Sequence, residues 1–268
     1  MAAIWGHILF LLPGRARDTT LKNLRACFPQ LQDQEINSLA RESLQSTVAT
    51  GLEMGKAWLL PVRKMVALIK ESEGLEEFNR ALKSGDGIIL ITPHHSNWEI
   101  FGQYLSSLTV PTYLYQPQKI AVLDKLLKET RSRNGIKLAP TNRKGVAQLL
   151  RALDKGEVVG VLPDQVPTDE GGIYAPFLGV QALTMTLVSK MAKRNKVKVY
   201  CGYVERLPAG KGFKAVFREA NSKIYDENLE ESVAGLNLSV EECLASKPTQ
   251  YQWDYKRFRR QPDGTRFY

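Results

Sequence analysis

The sequence predicts an α/β fold: a mixed, largely parallel sheet flanked by helices, preceded by a helical N-terminal portion. Two observations carry this. From residue 88 onward, short β-branched and aliphatic runs alternate with stretches of helical periodicity, the pattern of βαβ units whose sheet is covered on both faces. Before that point, apolar residues recur at helical spacing instead. The length, 268 residues of which 43% are hydrophobic, is enough to bury a sizeable core.

The chain opens on an apolar run from Ala2 to Leu12, closed by Pro13-Gly14-Arg15. It is about half the roughly 20 residues a membrane-spanning helix needs. It also lacks the charged start and small-residue cleavage site of a signal peptide. Two readings stand side by side: a core helix or strand, and an interfacial segment with Trp5 at headgroup depth and Arg15 and Arg17 at the rim. Residues 1–16 are accordingly set apart as an apolar membrane-interface segment, and 17–268 as a single domain. Within that domain 17–58 reads as helical, with Leu39, Leu44, Val48, Leu52 and Met54 at helical spacing and Pro61 closing the region. Residues 66–82 read as helical with a break at Gly74. Strands are expected at 88–92, 112–115, 136–139, 158–162, 197–204 and 213–217. The helices between them are expected at 98–108, 122–131, 144–153 and 184–193. Thr141 or Asn142 would cap the third of these, whose Val146, Leu149, Leu150 and Leu153 form one stripe. An amphipathic helix is expected over 228–246, and a tail of aromatic and basic residues ends the chain.

Lys+Arg 37 against Asp+Glu 28 gives a net charge of +9. Such a balance favours anionic partners, whether nucleic acid, anionic lipid or an acidic protein. The three cysteines, Cys27, Cys201 and Cys243, are odd in number, far apart and without a CxxC pair. That argues against a disulfide framework and for small buried hydrophobes in a reducing compartment. The histidines are His7, His94 and His95, and none lies in a cluster with zinc spacing, so no metal is expected. The 168–172 stretch reads as a mobile loop without a Walker lysine, so neither a nucleotide nor another cofactor is assigned.

The most informative stretch is Gly87-Ile88-Ile89-Leu90-Ile91-Thr92-Pro93-His94-His95-Ser96-Asn97-Trp98-Glu99. An apolar strand ends at Pro93 and a helix begins near Ser96. In open α/β sheets ligands bind outside the carboxyl ends of the strands. On one continuous helix His94 and Glu99 would stand about 140° apart. They meet only if His94 precedes the helix and Glu99 lies in its first turn, which the break at Pro93 permits. A histidine can then take a proton from a hydroxyl while a carboxylate fixes its tautomer and stabilises the imidazolium. No activated serine or cysteine stands beside the pair, which favours direct attack by a substrate hydroxyl. Ser96-x-x-Glu99 is equally a capping box; in that case His94 needs another partner, and Asp164 is the first candidate. His95 is expected to point away from His94 and to play a supporting part.

These residues resemble the His-x4-Asp/Glu signature of glycerolipid and lipid A acyltransferases. The surrounding landmarks are similar to those of the bacterial lipid A biosynthesis lauroyl/myristoyl transferases, in the same order, over roughly residues 10–268. They are Asn23-Leu24 with Cys27-Phe28-Pro29, Tyr115-Gln116-Pro117, Gly156-Glu157-Val158-Val159, Leu162-Pro163-Asp164-Gln165, Gly172 with Pro176-Phe177, and Tyr251-Gln252-Trp253 with Tyr255-Lys256-Arg257-Phe258. The resemblance implies a glycerolipid-acyltransferase-like fold in the lysophospholipid acyltransferase superfamily. It also implies an O-acyltransferase that draws its acyl group from acyl carrier protein and delivers it to a hydroxyl of a phosphorylated lipid A precursor. The setting it implies is the cytoplasmic face of the bacterial inner membrane, with peripheral or monotopic attachment. His94 would be the general base and Glu99 its partner; the family's functional arginine maps onto Arg131 or Arg133, and its Pro-Asp-Gln aspartate onto Asp164. Ser96 stands where many members have glycine, His95 where an apolar residue is common, and Gln116 where arginine is common, which removes a phosphate contact. The N-terminal anchor looks short for the family, as though a leading segment were missing.

Arg131 and Arg133 lie at an expected helix C-terminus, where a cation simply favours the helix dipole. The functional reading is a phosphate clamp or charge stabilisation at the thioester carbonyl. Asp164 is either a turn residue or a group that orients the acceptor or holds an arginine. Lys256-Arg257-Phe258-Arg259-Arg260 reads as a helix packing Trp253 and Phe258 inward, or as a headgroup contact. Two other functions are kept as alternatives. One is a lysophospholipid or other glycolipid O-acyltransferase. The other is a basic nucleic-acid-binding protein, against which stand the lack of a binding motif and the scatter of the basic residues.

Overall fold

The computed structural model of the chain describes residues 2–118, 120–132, 135–194 and 197–268. Helices come first: α1 (Ala2–Leu11), α2 (Arg15–Cys27), the long α3 (Asp33–Leu59) and the short α4 (Val62–Val66). Strand β1 (Ile69–Glu73) and helix α5 (Leu75–Ser84) lead into the sheet proper. There follow β2 (Gly87–Ile91), α6 (Trp98–Leu105), β3 (Thr112–Tyr115), α7 (Ala121–Arg131), β4 (Lys137–Pro140), α8 (Arg143–Asp154) and β5 (Val158–Val161). The second half runs through β6 (Gly172–Phe177), β7 (Val180–Met185), α9 (Leu187–Ala192), β8 (Val197–Arg206), β9 (Phe213–Glu219) and α10 (Leu229–Leu244).

Among the described residues the main sheet has the order β1-β9-β8-β2-β5-β3-β4. Its neighbours are parallel except for β8 and β9, so the sheet is mixed and largely parallel, as the alternation of patterns predicts. Strand β2 has no polar residue and is buried along its whole length. Its side chains alternate between two cores. Ile88 and Leu90 face Phe78 of α5, Phe101 of α6 and Phe217 of β9. Ile89 and Ile91 face Leu149 of α8, Val188 of α9 and Leu236 of α10. Gly160 of β5 admits the ring of Tyr113, since a Cβ there would lie 2.2 Å from it.

The order also fixes where a site can form. The connection from β2 runs through α6 toward β3, and that from β5 runs through α9 toward β8 on the far side of β2. Helices α6 and α9 therefore cover opposite faces, and the connections that leave the carboxyl ends of the adjacent strands β2 and β5 run to opposite sides. A crevice opens at such a switch point.

Several expectations are corrected. Residues 66–82 are not one broken helix: β1 occupies the middle of that span as an edge strand parallel to β9. Its sequence, Ile69-Lys70-Glu71-Ser72-Glu73, carries the charges that suit an edge. Gly74, in the left-handed region at φ 68°, turns the chain from β1 into α5. The 17–58 span is divided by a break between α2 and α3, where Gln32 and Glu35 form a capping box. A β6–β7 hairpin lies mostly in the stretch between the expected loop at 168–172 and the expected helix at 184–193, where no element was expected. Its two-residue turn, Leu178-Gly179, has positive φ at both positions. Because β7 continues to Met185, α9 starts later than expected. The tail forms turns rather than a helix, although Trp253 and Phe258 do pack inward.

All three cysteines are buried and unbridged. No helix among the described residues is long and apolar enough to cross a membrane. Helix α1 lies against α3, where Gly6 touches the backbone of Gln45, and leaves Ile4, Trp5, Leu11 and Leu12 more than half exposed.

Candidate active site

The turn after β2 is built by contacts from four directions. His95 N–H donates to Pro93 O at 2.7 Å, tightening the chain just past the strand. Ser96 takes φ 50°, an uncommon conformation for a non-glycine residue. It is held there by its N–H to Gln250 O at 2.7 Å and by Thr50 Oγ1 of α3 donating to its carbonyl at 2.9 Å. Gln252 N–H donates to His94 O at 3.0 Å. Asn97 is the N-cap of α6, accepting from Ile100 N–H at 3.1 Å. The alternative reading of Ser96–Glu99 as a capping box is therefore not met: the helix starts one residue later, and the Ser96 hydroxyl has no hydrogen-bond partner. Asn142, one of two candidates, caps α8 through Gly145 N–H.

His94 meets Asp164. The carboxylate accepts the backbone N–H of His94 at 2.7 Å and bonds its ring Nδ1 at 2.8 Å. Asp164 is 3% exposed. Burial alone would push its carboxyl up; the His94 charge and hydrogen bonds outweigh that and hold it below the usual carboxylate range. With Nδ1–H committed to Asp164, Nε2 is left as the acceptor, 3.1 Å from the Gln165 side-chain nitrogen. Trp98 meets the His94 ring edge-on, with centroids 4.7 Å apart.

Glu99 goes elsewhere. It is buried in the first turn of α6, and Arg131 at the end of α7 grips it with two donors, Nη2 to Oε1 and Nε to Oε2. Burial disfavours the Arg131 charge, but the Glu99 charge and hydrogen bonds raise its pKa above the ordinary value. The direct His94–Glu99 hydrogen bond that the five-residue spacing allows is not formed among the described residues. Both nonetheless line one cavity of about 750 Å³, together with Arg131, Gln165 and Trp98. Arg133 lies outside the described residues. Gln116 also lines the cavity and accepts from the Thr141 hydroxyl.

His95 turns away from the cavity, as alternation predicts. It is wholly buried edge-on to Tyr203 at 5.2 Å, and neither ring nitrogen has a hydrogen-bond partner. Burial, and then nearby Arg206, lowers its pKa to about 3, so it is a neutral core residue. The sequence reading missed the support behind the turn. Arg206 of β8 makes two 2.7 Å bonds to Glu53 of α3, and Asn97 Nδ2 donates to the same carboxylate at 3.3 Å. A glutamate inside the long helical stretch gave no sign that it faced inward.

The arrangement provides a histidine with one nitrogen fixed by a buried carboxylate, the other at a cavity, and an arginine held nearby. It can accept a proton from a hydroxyl and stabilise negative charge. Over residues 4–260 the chain matches the family described as bacterial lipid A biosynthesis acyltransferase. It is 27% identical to the lipid A biosynthesis lauroyltransferase of Escherichia coli (strain K12), with 91% of this chain and 79% of that protein covered. Identity to the lipid A biosynthesis palmitoleoyltransferase of the same organism is 26%, covering 93% and 81%. A lipid A biosynthesis acyltransferase of Haemophilus influenzae is 26% identical, covering 95% and 79%.

Proposed function

Because the chain belongs to the bacterial lipid A biosynthesis acyltransferase family, and is thus an acyltransferase, we propose that it transfers a fatty acyl group from acyl carrier protein to a hydroxyl of a lipid A precursor, with His94 as general base. The observation that carries this reading is the His94–Asp164 pair at the cavity. His94 Nε2 takes the proton of the acceptor hydroxyl as its oxygen attacks the thioester carbonyl. The tetrahedral intermediate collapses with loss of the thiolate, and the imidazolium returns the proton to sulfur. Asp164 keeps the Nδ1–H tautomer and stabilises the imidazolium, a role in which a carboxylate need not itself take the proton. General-base assistance of this kind contributes about 10²–10⁴-fold.

Glu99 acts in this scheme by holding Arg131 at the cavity wall, where the guanidinium can meet an acceptor phosphate or the developing oxyanion. A direct Glu99–His94 dyad would require a His94 ring nitrogen to turn from Asp164 or Gln165 toward Glu99. The net charge of +9 suits an acidic carrier protein and a phosphorylated lipid. The exposed apolar face of α1, with Arg15 and Arg17 following it, suits peripheral attachment at the cytoplasmic face of the inner membrane. Lipid mass spectrometry of cells with and without the gene, paired with transfer assays using purified acyl carrier protein thioesters, tests the proposal. A lipid A species lacking one acyl chain in its absence is the expected result. Unchanged lipid A with an altered phospholipid or other glycolipid would reject this acceptor.

A further inference from the structure

His94 borders a second cavity. Besides the large one of about 750 Å³, a slot of about 180 Å³ lies between α3 and the C-terminal tail, and His94 and Trp98 line both. Helix α3 supplies Thr47, Thr50, Gly51 and Met54 to the slot, and the tail supplies residues 250–252. Gly51 stands at the protein surface, whereas Thr50, Ser96 and Tyr251 are buried. The slot therefore leads from the surface of α3 inward to the His94 turn.

Its walls are fixed from behind. Thr50 Oγ1 donates to Ser96 O and accepts from Arg206, both at 2.9 Å. The Gln250 amide bonds both backbone groups of Arg206, at 2.7 and 3.0 Å. Gln252 N–H holds His94 O, while the half-buried Gln252 side chain makes no hydrogen bond among the described residues. Charge separates the two cavities. Glu99, Arg131, Glu170 and Lys190 line the large one, whereas among the described residues no Asp, Glu, Lys or Arg lines the slot.

Acyl transfer from a thioester brings three groups to one histidine: the acyl chain, the acceptor hydroxyl and the arm that carries the sulfur. The large cavity suits the first two. Leu114, Ile136 and Val146 give an acyl chain an apolar wall, and Arg131 gives an acceptor phosphate a cation. The hydroxyl must reach His94 Nε2, which lies against Gln165 on that cavity. The slot suits the third. A pantetheine arm is a slender chain of amides and a hydroxyl, uncharged as far as its phosphate. In the slot a phosphate would lose its hydration without a lining cation to replace it, whereas an amide can pair with Gln252.

We propose that the slot between α3 and the tail is the channel for the pantetheine arm of the donor thioester, with His94 and Trp98 at the passage from the arm to the acyl chain. The arm is common to acyl carrier protein and coenzyme A, so its own chemistry is what the slot reads. The assignment rests on the reading of the acyl donor as a thioester; it does not depend on His94 being the base.

Gly51 makes the test direct. A side chain added there meets no atom within 4 Å, cysteine is a better helix former than glycine, and the three native cysteines are buried. In the full-length chain Gly51→Cys therefore places an accessible thiol at the slot, and Met54→Cys serves if that variant does not fold. The thiol is alkylated with N-ethylmaleimide, with and without S-dodecyl pantetheine, a thioether that cannot release its chain. The thioether should inhibit transfer by the wild type. At about ten times its dissociation constant it should slow alkylation about tenfold, by mass action. Dodecanol, which has the chain without the arm, should leave the alkylation rate unchanged. Alkylation unaffected by a thioether that inhibits transfer, or slowed equally by dodecanol, overturns the assignment, as does a thioether that fails to inhibit. The same protection measured with the dodecyl thioethers of acyl carrier protein and of coenzyme A separates the sources of the arm. Stronger protection by the coenzyme A thioether supports the channel and contradicts the carrier-protein reading instead.

Discussion

His94 and Asp164 meet because their strands are in register: Ile91 of β2 pairs with Val161 of β5, and each of the two residues stands three positions further along its own strand direction. Parallel strands carry equal extensions to the same side of the sheet. The pairing holds to the end, with Thr92 N–H donating to Val161 O at 2.9 Å, and the connections that follow part to opposite sides, which leaves a crevice where His94 lines the cavity. Neither residue depends on a long loop for its position, each standing three residues past a central strand.

The Glu99–Arg131 pair should behave as a unit. Glu99→Gln removes the charge and frees Arg131, with an expected loss of about 1–3 kcal/mol in stability, an unpaired buried partner being the main cost. A rate loss of roughly tenfold or more should accompany it, each 1.4 kcal/mol or so of barrier being about tenfold. Thermal melts and transfer rates for Glu99→Gln, Arg131→Ala and the double variant give the coupling. Strict additivity would show that the two side chains act separately.

His95 should make the fold acid-sensitive. Its pKa is lowered to about 3 in the folded protein, against roughly 6.5 in an unfolded chain. Between these values the unfolded state binds a proton that the folded state does not. Stability therefore falls as pH drops from about 6.5 toward 3, by up to about 1.4 kcal/mol per pH unit. Asp164 works in the same sense but in a lower window, its contribution being lost only as pH falls below the unfolded carboxylate value of about 3.9. His95→Phe keeps an aromatic ring against Tyr203 and forfeits no hydrogen bond. It should match the wild type near neutrality and lose less stability at about pH 5. Urea unfolding at the two pH values is the check; identical pH slopes would mean that His95 is not the group responsible.

Membrane attachment through α1 should depend on both apolar contact and charge. Flotation with anionic vesicles should show binding that weakens, without vanishing, at high salt. Replacing Trp5 and Leu11 by Ser should reduce binding at every salt concentration. Absence of binding to anionic vesicles at low salt contradicts the interfacial role.

Much of the sheet was legible because β2 and β5 are apolar runs with few alternatives to burial and β8 is rich in β-branched and aromatic residues. The His94 turn was legible for a similar reason, Pro93 marking where the strand must stop. The partner of His94 was not, because sequence spacing favours neighbours in the chain, whereas Asp164 is 70 residues away and is delivered by strand register. Glu99 was placed beside the His94 turn and does line the cavity, but its contact with Arg131 was not legible, since the end of α7 approaches from another part of the fold. Edge strand β1 reads as helix because its charges and short length give no alternation. The β6–β7 hairpin hides its turn in Leu178-Gly179, where only the glycine carries a turn signal. Arg257 reads as surface because nothing in a basic run distinguishes the basic residue that is buried, here 3% exposed beside Phe258.

The central claim is that His94, held by Asp164, is the base that activates the acceptor hydroxyl. The most direct measurement is the transfer rate of purified Asp164→Asn, beside His94→Ala, with each shown to be folded by circular dichroism. Asparagine can still accept the His94 backbone N–H, so the turn should persist, while the ring loses its carboxylate and its tautomer. A drop of roughly 10²–10⁴-fold in kcat for both variants is the expected result. Near wild-type turnover in either folded variant would contradict the account.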